Sequence, residues 1–294
     1  MSNDEVKVTI GLPVYNGEDF LEKAVNSLLS QTYKEFELII SDNASTDSTE
    51  DICRRYVAQD SRVRYVQNAE NLGAAKNYNQ LVDMANGEYF KWAAHDDVCL
   101  PTFIEKCVNV LDADPGVVLC FSQARGIDDN DQPLIQEYEN YFDAEMDEPW
   151  KRFFATACRR HNMLGAIVFG LMRTDILRQT NMIGAFSSSD RVLAGELSLY
   201  GRFHIIPEVL FLKREHPKAH WIQYNTRQLR IKWYDPSNEA SRTYPHWRLL
   251  KENLVSIKNS PLGDVDRMKC YAMIAPWVRY NWRYLLANLV QKDL

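Results

Sequence analysis

The 294-residue chain carries neither a GxGxxG nor a GxxxxGK[ST] motif after its first apolar run, VKVTIGLP at residues 6–13. That absence excludes the usual dinucleotide fingerprint and the usual phosphate loop. There is no CxxC pair. Six cysteines (Cys53, Cys99, Cys107, Cys120, Cys158 and Cys270) are scattered, mostly within apolar periodic segments, and are expected to be buried free thiols rather than zinc ligands or disulfides. No run approaches the roughly 20 apolar residues of a membrane-spanning helix. The polar start MSNDEVK lacks the apolar core of a signal peptide, so a cytoplasmic protein is expected. With 46% hydrophobic and 25% charged residues the composition is that of an ordinary globular protein.

Positive charge is scarce until late in the chain. Residues 213–294 hold 15 of the 34 Lys and Arg but only 7 of the 40 Asp and Glu, so a tail of +8 follows a body of −14. The acidic body and the lack of any recognition module argue against a nucleic-acid partner.

What is present is a regular alternation. VKVTIGLP (6–13), FELIIS (36–41), VRYV (63–66) and EYFKWA (88–93) read as strands. Between them lie helical patterns: Phe20, Leu21, Ala24, Leu28 and Leu29 after an acidic start, then residues 45–59, then residues 71–86 opening at a glycine. Such spacing predicts βαβ units and a parallel sheet. In open parallel sheets ligands bind beyond the carboxyl ends of the strands, where this chain has PVYNGED, DNASTD, QNAENLG and HDD. The Asp96–Asp97 pair is chemically suited to carry a divalent cation, whose charge would hold an anionic diphosphate. The alternative is an exposed acidic turn with Asp97 capping the helix near Pro101.

Taken in order, VTIGLPVYNGEDFLEKAVNSLLSQTYKEFELIISDNASTD, NLGAAKN, GEYFKWAAHDD and SSSDRVLAGELSLYGRFHIIPEVLFLKREH resemble the family 2 glycosyltransferases. These are inverting, nucleotide-sugar-dependent enzymes. The resemblance implies an α/β fold of the GT-A type, with a mainly parallel central sheet flanked by helices and a helical C-terminal extension. It covers about residues 5–217. The implied organisation is a catalytic domain over residues 1–217 (nucleotide-binding half about 1–98, acceptor half 99–217) and a basic, aromatic extension over 218–294.

The resemblance also implies roles. Pro13, Val14, Tyr15 and Glu18 fall in the loop that touches the nucleoside. Asp42 and Asn43 stand where the family commonly has two acids, one of which accepts the hydrogen of a pyrimidine ring nitrogen; Asn43 is an amide that also donates. Asn71 and Lys76 fall near the base and diphosphate on the opening turn of a helix, though Lys76 is equally read as a solvated helix charge. Ala94 replaces the first acid of the metal motif, which leaves Asp97 as the direct ligand of Mn²⁺ or Mg²⁺ and Asp96 for the ribose or sugar. His216 matches a histidine near metal or diphosphate, or is a satisfied strand-end histidine, and Arg214 is placed to assist phosphate. Asp190, with Ser189 where a Glu is commoner, matches the single general base of an inverting transfer; as a bare sequence, SSSD reads equally as a helix N-cap.

The implied donor is a UDP-, dTDP- or GDP-linked hexose or deoxyhexose, and the implied acceptor a glycan or lipid-linked glycan of surface polysaccharide assembly. A sugar nucleotidyltransferase is a second reading, although LPVYNGED lacks a glycine-rich, basic loop; a non-catalytic nucleotide-sugar binding protein is a third. Acceptor contacts are expected from variable loops such as 125–150. In the extension, Trp247, Leu250, Leu254 and Ile257 mark one amphipathic helix, and residues 267–290 another, interrupted at Pro276. The extension packs over the acceptor side, lies at a membrane surface, or forms an oligomer interface.

Overall fold

A computed structural model describes residues 6–137, 146–158, 167–224, 226–238 and 244–290. The stretch 138–145 of the expected acceptor loop lies outside the described residues. The alternation read from the sequence is present as β1 (Val8–Val14), α1 (Leu21–Leu29), β2 (Phe36–Asp42), α2 (Thr49–Gln59), β3 (Val63–Gln67), α3 (Ala74–Asp83) and β4 (Tyr89–Trp92). Every residue of β1 and β2 is buried, as expected of strands covered on both faces by helices. The order β3-β2-β1-β4 is wholly parallel. Val14 pairs with Asp42 and Gly11 with Trp92, so the carboxyl ends of β2, β1 and β4 open on one edge.

The sheet then turns mixed. It continues through β5 (Val98–Cys99), α4 (Phe103–Ala113), β6 (Val117–Ile127), β7 (Pro133–Glu137), α5 (Pro149–Phe153) with a π-helical turn (Phe154–Cys158), β8 (Leu171–Arg173), α6 (Thr174–Leu177), α7 (Ser189–Leu197) and β9 (Arg202–Arg214). β8 runs antiparallel to β4 and β6, β9 parallel to β6, and β5 antiparallel to β9. Along β9 the register jumps from Ile206 opposite Ser122 to Val209 opposite Gln123. Pro207 sits in that irregularity, because it has no N–H to give the ladder. Val98 pairs with Leu212, which brings Arg214 to the Asp96–Asp97 tip.

The chain ends in α8 (His220–Gln223), α9 (Arg227–Tyr234), α10 (Pro245–Asn259) and α11 (Asp264–Val290). The expected interruption at Pro276 does not occur: α11 is one 27-residue helix with Pro276 inside it. Its buried residues Cys270, Ile274, Trp277, Asn281, Leu285 and Asn288 keep steps of three and four through the proline, so tertiary burial outweighs the one lost backbone bond. Ile257 of α10 and Cys270, Ile274, Trp277 and Leu285 of α11 share a core cluster with Phe153, Ala157, Cys158 and Leu199. At about 1.5–3 kcal/mol for each large buried side chain, the extension is firmly seated on α5, the π-helical turn and the end of α7. All six cysteines are buried and free. Among the described residues no helix is long and apolar enough to cross a membrane.

Candidate active site

The loops after β1 and β2 are laced together before they meet any ligand. Asn16 N–H donates to Ser45 Oγ and Gly17 N–H to Thr49 Oγ1, both at 2.9 Å. Glu18 N–H donates to Asp47, and the Glu18 carboxylate accepts the Ser48 amide at 3.0 Å. Glu18 thus spends itself on tying loops. Gly17 must be glycine: a Cβ there would come within 2.6 Å of Val14 and 3.0 Å of His95. Pro13 and Val14 are buried at the end of β1, and Tyr15 just beyond them is exposed.

Asp42 is fully buried, and its carboxylate accepts from Ser45 N–H (2.9 Å), Tyr65 Oη (2.7 Å) and Gln67 Nε2 (3.3 Å). Asn43 donates to Asn71 Oδ1 at 2.8 Å while its own oxygen accepts from Asn68 Nδ2 and Leu72 N–H. Both side chains stand at the end of β2, and their polar groups are occupied by the loops of β2 and β3. Asn71 also accepts the Gly73 amide, and Lys76 is exposed on α3. The opening of α3 is covered: a Cβ at Gly73, whose φ is +82°, would fall 2.4 Å from the Tyr234 carbonyl oxygen and 2.7 Å from Pro236.

At the tip of β4 the adjacent acids are held in opposite ways. His216 Nε2 lies 3.1 Å from Asp96 Oδ2. Burial works against a charged Asp96, but His95 and the His216 hydrogen bond hold it below the usual carboxylate range. For Asp97, burial and then repulsion from Asp96 push it up, against the Arg214 amide that donates to Oδ1 at 2.9 Å. Lys91, wholly buried over the Phe103 ring, supplies positive charge beneath Asp97. Asp97 therefore does not cap α4, whose N-cap residue is Thr102.

Arg214 corrects an expectation. Its side chain is completely buried and donates to the carbonyls of Asp96 (2.9 Å) and Asp128 (2.7 Å) and to Asp131 Oδ1 (2.5 Å). It clamps the tip from below and presents nothing to a phosphate. His216 packs edge-on against Phe20, at 4.6 Å between centroids, beneath the same tip.

Asp190 stands in the first turn of α7, and Ser188 at the N-cap is left-handed (φ 67°) with no side-chain cap bond. Burial raises the Asp190 carboxyl. Tyr78 of α3 is pushed up first by burial and then by the charges of Asp96, Asp97, Tyr234 and Asp190. Tyr234 of α9, its hydroxyl against the Ser188–Ser189 turn, closes the group. Sequence reading missed both tyrosines. Tyr78 carried a signal, lying in the NLGAAKNYNQ helix that opens into the cleft, whereas Tyr234 arrives from outside the recognisable motifs.

The sequence profile of glycosyl transferase family 2 matches residues 9–179, a stretch that ends before Asp190 and His216. An uncharacterized glycosyltransferase of Rickettsia typhi is 38% identical over 104 residues, which is 35% of this chain and 31% of that protein. The chain spans less than half the length of the curated relatives it matches. Among solved structures, Staphylococcus aureus TarS (residues 1–349) in complex with UDP-GlcNAc superposes with a TM-score of 0.69 at 16% identity, covering 96% of this chain and 79% of that one. The mannosyltransferase PcManGT of Pyrobaculum calidifontis, in complex with GDP-Man and Mn²⁺, gives 0.58 at 17% identity, covering 97% and 86%. These likenesses carry the fold, which is the α/β GT-A type with C-terminal helices. A profile matched from β1 to just past α6, on a sheet of that fold, makes the chain a member of glycosyl transferase family 2.

Proposed function

We propose that the chain is an inverting glycosyltransferase that moves a hexose or deoxyhexose from a nucleoside-diphosphate donor to a hydroxyl of a glycan or lipid-linked glycan, in surface polysaccharide assembly. One observation carries the reading: in a chain matched by the family profile, the Asp96–Asp97 pair beyond β4 is held by His216 Nε2 at 3.1 Å and by the Arg214 amide at 2.9 Å. The UDP-GlcNAc and GDP-Man bound to structural neighbours support the donor class.

The donor chemistry of the Asp97 carboxylate and the His216 imidazole is that of a divalent-ion site completed by substrate. Among the described residues no cluster of three or more His, Cys, Asp or Glu would cage a metal alone. Mg²⁺ takes one or two carboxylates and completes its shell with water and substrate phosphate, so it does not require a cage built by the protein alone. Asp97 and His216 would hold the ion, with Asp96 beside them for the ribose or sugar. When bound, it neutralises charge on the departing diphosphate. Asp190 takes the proton of the acceptor hydroxyl, and its raised basicity suits that task. Attack opposite the leaving group inverts the anomeric centre. Pro13, Val14 and Tyr15 wall the nucleoside, and Asp42, Asn43, Asn71 and Glu18 keep that wall in register; Lys76, exposed in the first turn of α3, is available to the diphosphate.

A sugar nucleotidyltransferase fits less well, because the loop after β1 is held by acidic and hydroxyl groups rather than left as a glycine-rich phosphate cradle. The test is a thermal-shift screen of nucleoside diphosphates and their sugars with and without Mn²⁺. Stabilisation by one diphosphate family, strengthened by Mn²⁺, is expected; none with any donor sinks the reading. Release of free nucleoside diphosphate then separates a transferase from a binding protein.

One face of α11 favours an anionic lipid surface as the setting of the acceptor. Arg279, Trp282, Arg283, Leu286 and Leu289 are all exposed at helical spacing.

A further inference from the structure

Behind the turn that carries Asp190 lies a cavity of about 160 Å³ between α7, the π-helical turn, α10 and α11. Ser188 and Arg191, which flank Asp190 in the chain, form one wall; His246, Asn253, Trp277 and Asn281 form the others. None of the residues lining it is acidic. We propose that this cavity is an acceptor subsite that takes one hydroxyl-rich sugar unit, so that the C-terminal extension reads the acceptor; this rests on the transferase reading above.

Three observations carry it. Asn253 lines the cavity and is 4% exposed, and its buried Oδ1 has no hydrogen-bond partner. A buried amide oxygen calls for a donor, which a sugar hydroxyl supplies. The cavity is larger than one water requires, at about 30 Å³ each. Its walls combine a guanidinium with the flat rings of Trp277 and of His246, the latter stacked on Tyr284 at 4.8 Å and 10°. That mix of planar apolar surface and fixed polar groups suits a ring with hydroxyls at its rim.

Saturation-transfer NMR on the full chain tests it, with methyl glycosides of glucose, galactose, N-acetylglucosamine and glucuronic acid as probes. Wild type, N253L and R191Q are compared, with and without UDP and Mn²⁺. At least one glycoside is expected to receive saturation from the wild type, to keep it when nucleotide is added, and to bind about tenfold more weakly in both variants, a loss of about 1.4 kcal/mol. No transfer to any glycoside means the cavity holds water only and overturns the proposal. So does transfer that nucleotide abolishes, or that R191Q, on the part-exposed rim where folding is least at risk, leaves unchanged. Nucleotide affinity, measured separately by calorimetry, reports on the donor reading: its absence sinks the transferase, whereas normal affinity with no glycoside effect sinks only the subsite.

Discussion

The backbone amide of Arg214 donates to Oδ1 of Asp97 at 2.9 Å, across 117 residues of chain, while the same residue's guanidinium holds the Asp96 carbonyl. The end of β9 is thus the floor on which the acidic tip stands. Replacing Arg214 by Met strips three buried or half-buried acceptors of their donor and is expected to cost about 3–5 kcal/mol. Asp131→Asn, at a half-exposed partner, costs about 1 kcal/mol or less. Urea midpoints of the two variants check the ordering; equal losses would show that the clamp is not the guanidinium.

Asp97→Asn keeps an oxygen for the Arg214 amide, so the fold is expected to survive. What disappears is the gain in nucleotide affinity on adding Mn²⁺. Calorimetry with and without the ion decides this, and an unchanged difference between the two titrations refutes the metal role.

Asp190→Asn is expected to lower kcat by about 10²–10⁴, the usual contribution of a positioned base. Donor affinity is expected to stay within about a factor of two, because the role proposed for the residue is on the acceptor. Because burial raises Asp190, the acid limb of the kcat/KM profile lies above the pH of an ordinary carboxylate. Substantial turnover by the variant would remove Asp190 from the mechanism.

The legibility of the chain divides along the same line as its physics. The strands of the parallel half were readable because VTIGLP and FELIIS must be apolar on both faces, and the loops after them because polar residues cluster only where strands end. The later half hides its pairing: β9 must find β6 over about 80 residues, with Pro207 breaking the register, and no local pattern encodes that partner. Likewise Asp96 and Asp97 could be found, whereas the occupation of Arg214 and Asp42 by internal bonds could not, since it depends on Asp128, Asp131, Tyr65 and Gln67 arriving from other elements. Pro276 misled because proline is a local breaker, while the stripe it interrupts is buried on both sides of it.

Glu196 of α7, buried and holding the Asn181 amide and side chain at 3.0 and 2.8 Å, is pushed by burial up to about 7. A raised carboxyl contributes stability that is complete below its unfolded value and lost as pH rises through the folded one. Wild type is therefore expected to lose about 1–3 kcal/mol relative to Glu196→Gln between about pH 5 and pH 8. Parallel denaturation curves for the two proteins across that window would contradict it.

The exposed face of α11 predicts sedimentation of the full chain with anionic liposomes at low salt, weakened when Arg279 and Arg283 are both changed to Gln. Failure of the wild type to sediment removes the lipid surface from the functional reading.

The 2.4 Å that a methyl group at position 73 would leave to the Tyr234 carbonyl has a practical corollary for anyone dissecting the molecule. A fragment trimmed to the recognisable motifs would bare the start of α3 and the apolar flank of α7 in one cut, and a hybrid carrying a foreign tail would inherit a docking notch shaped for this one. The segment beyond residue 217 is better regarded as a wall that the cleft borrows from the far end of the chain.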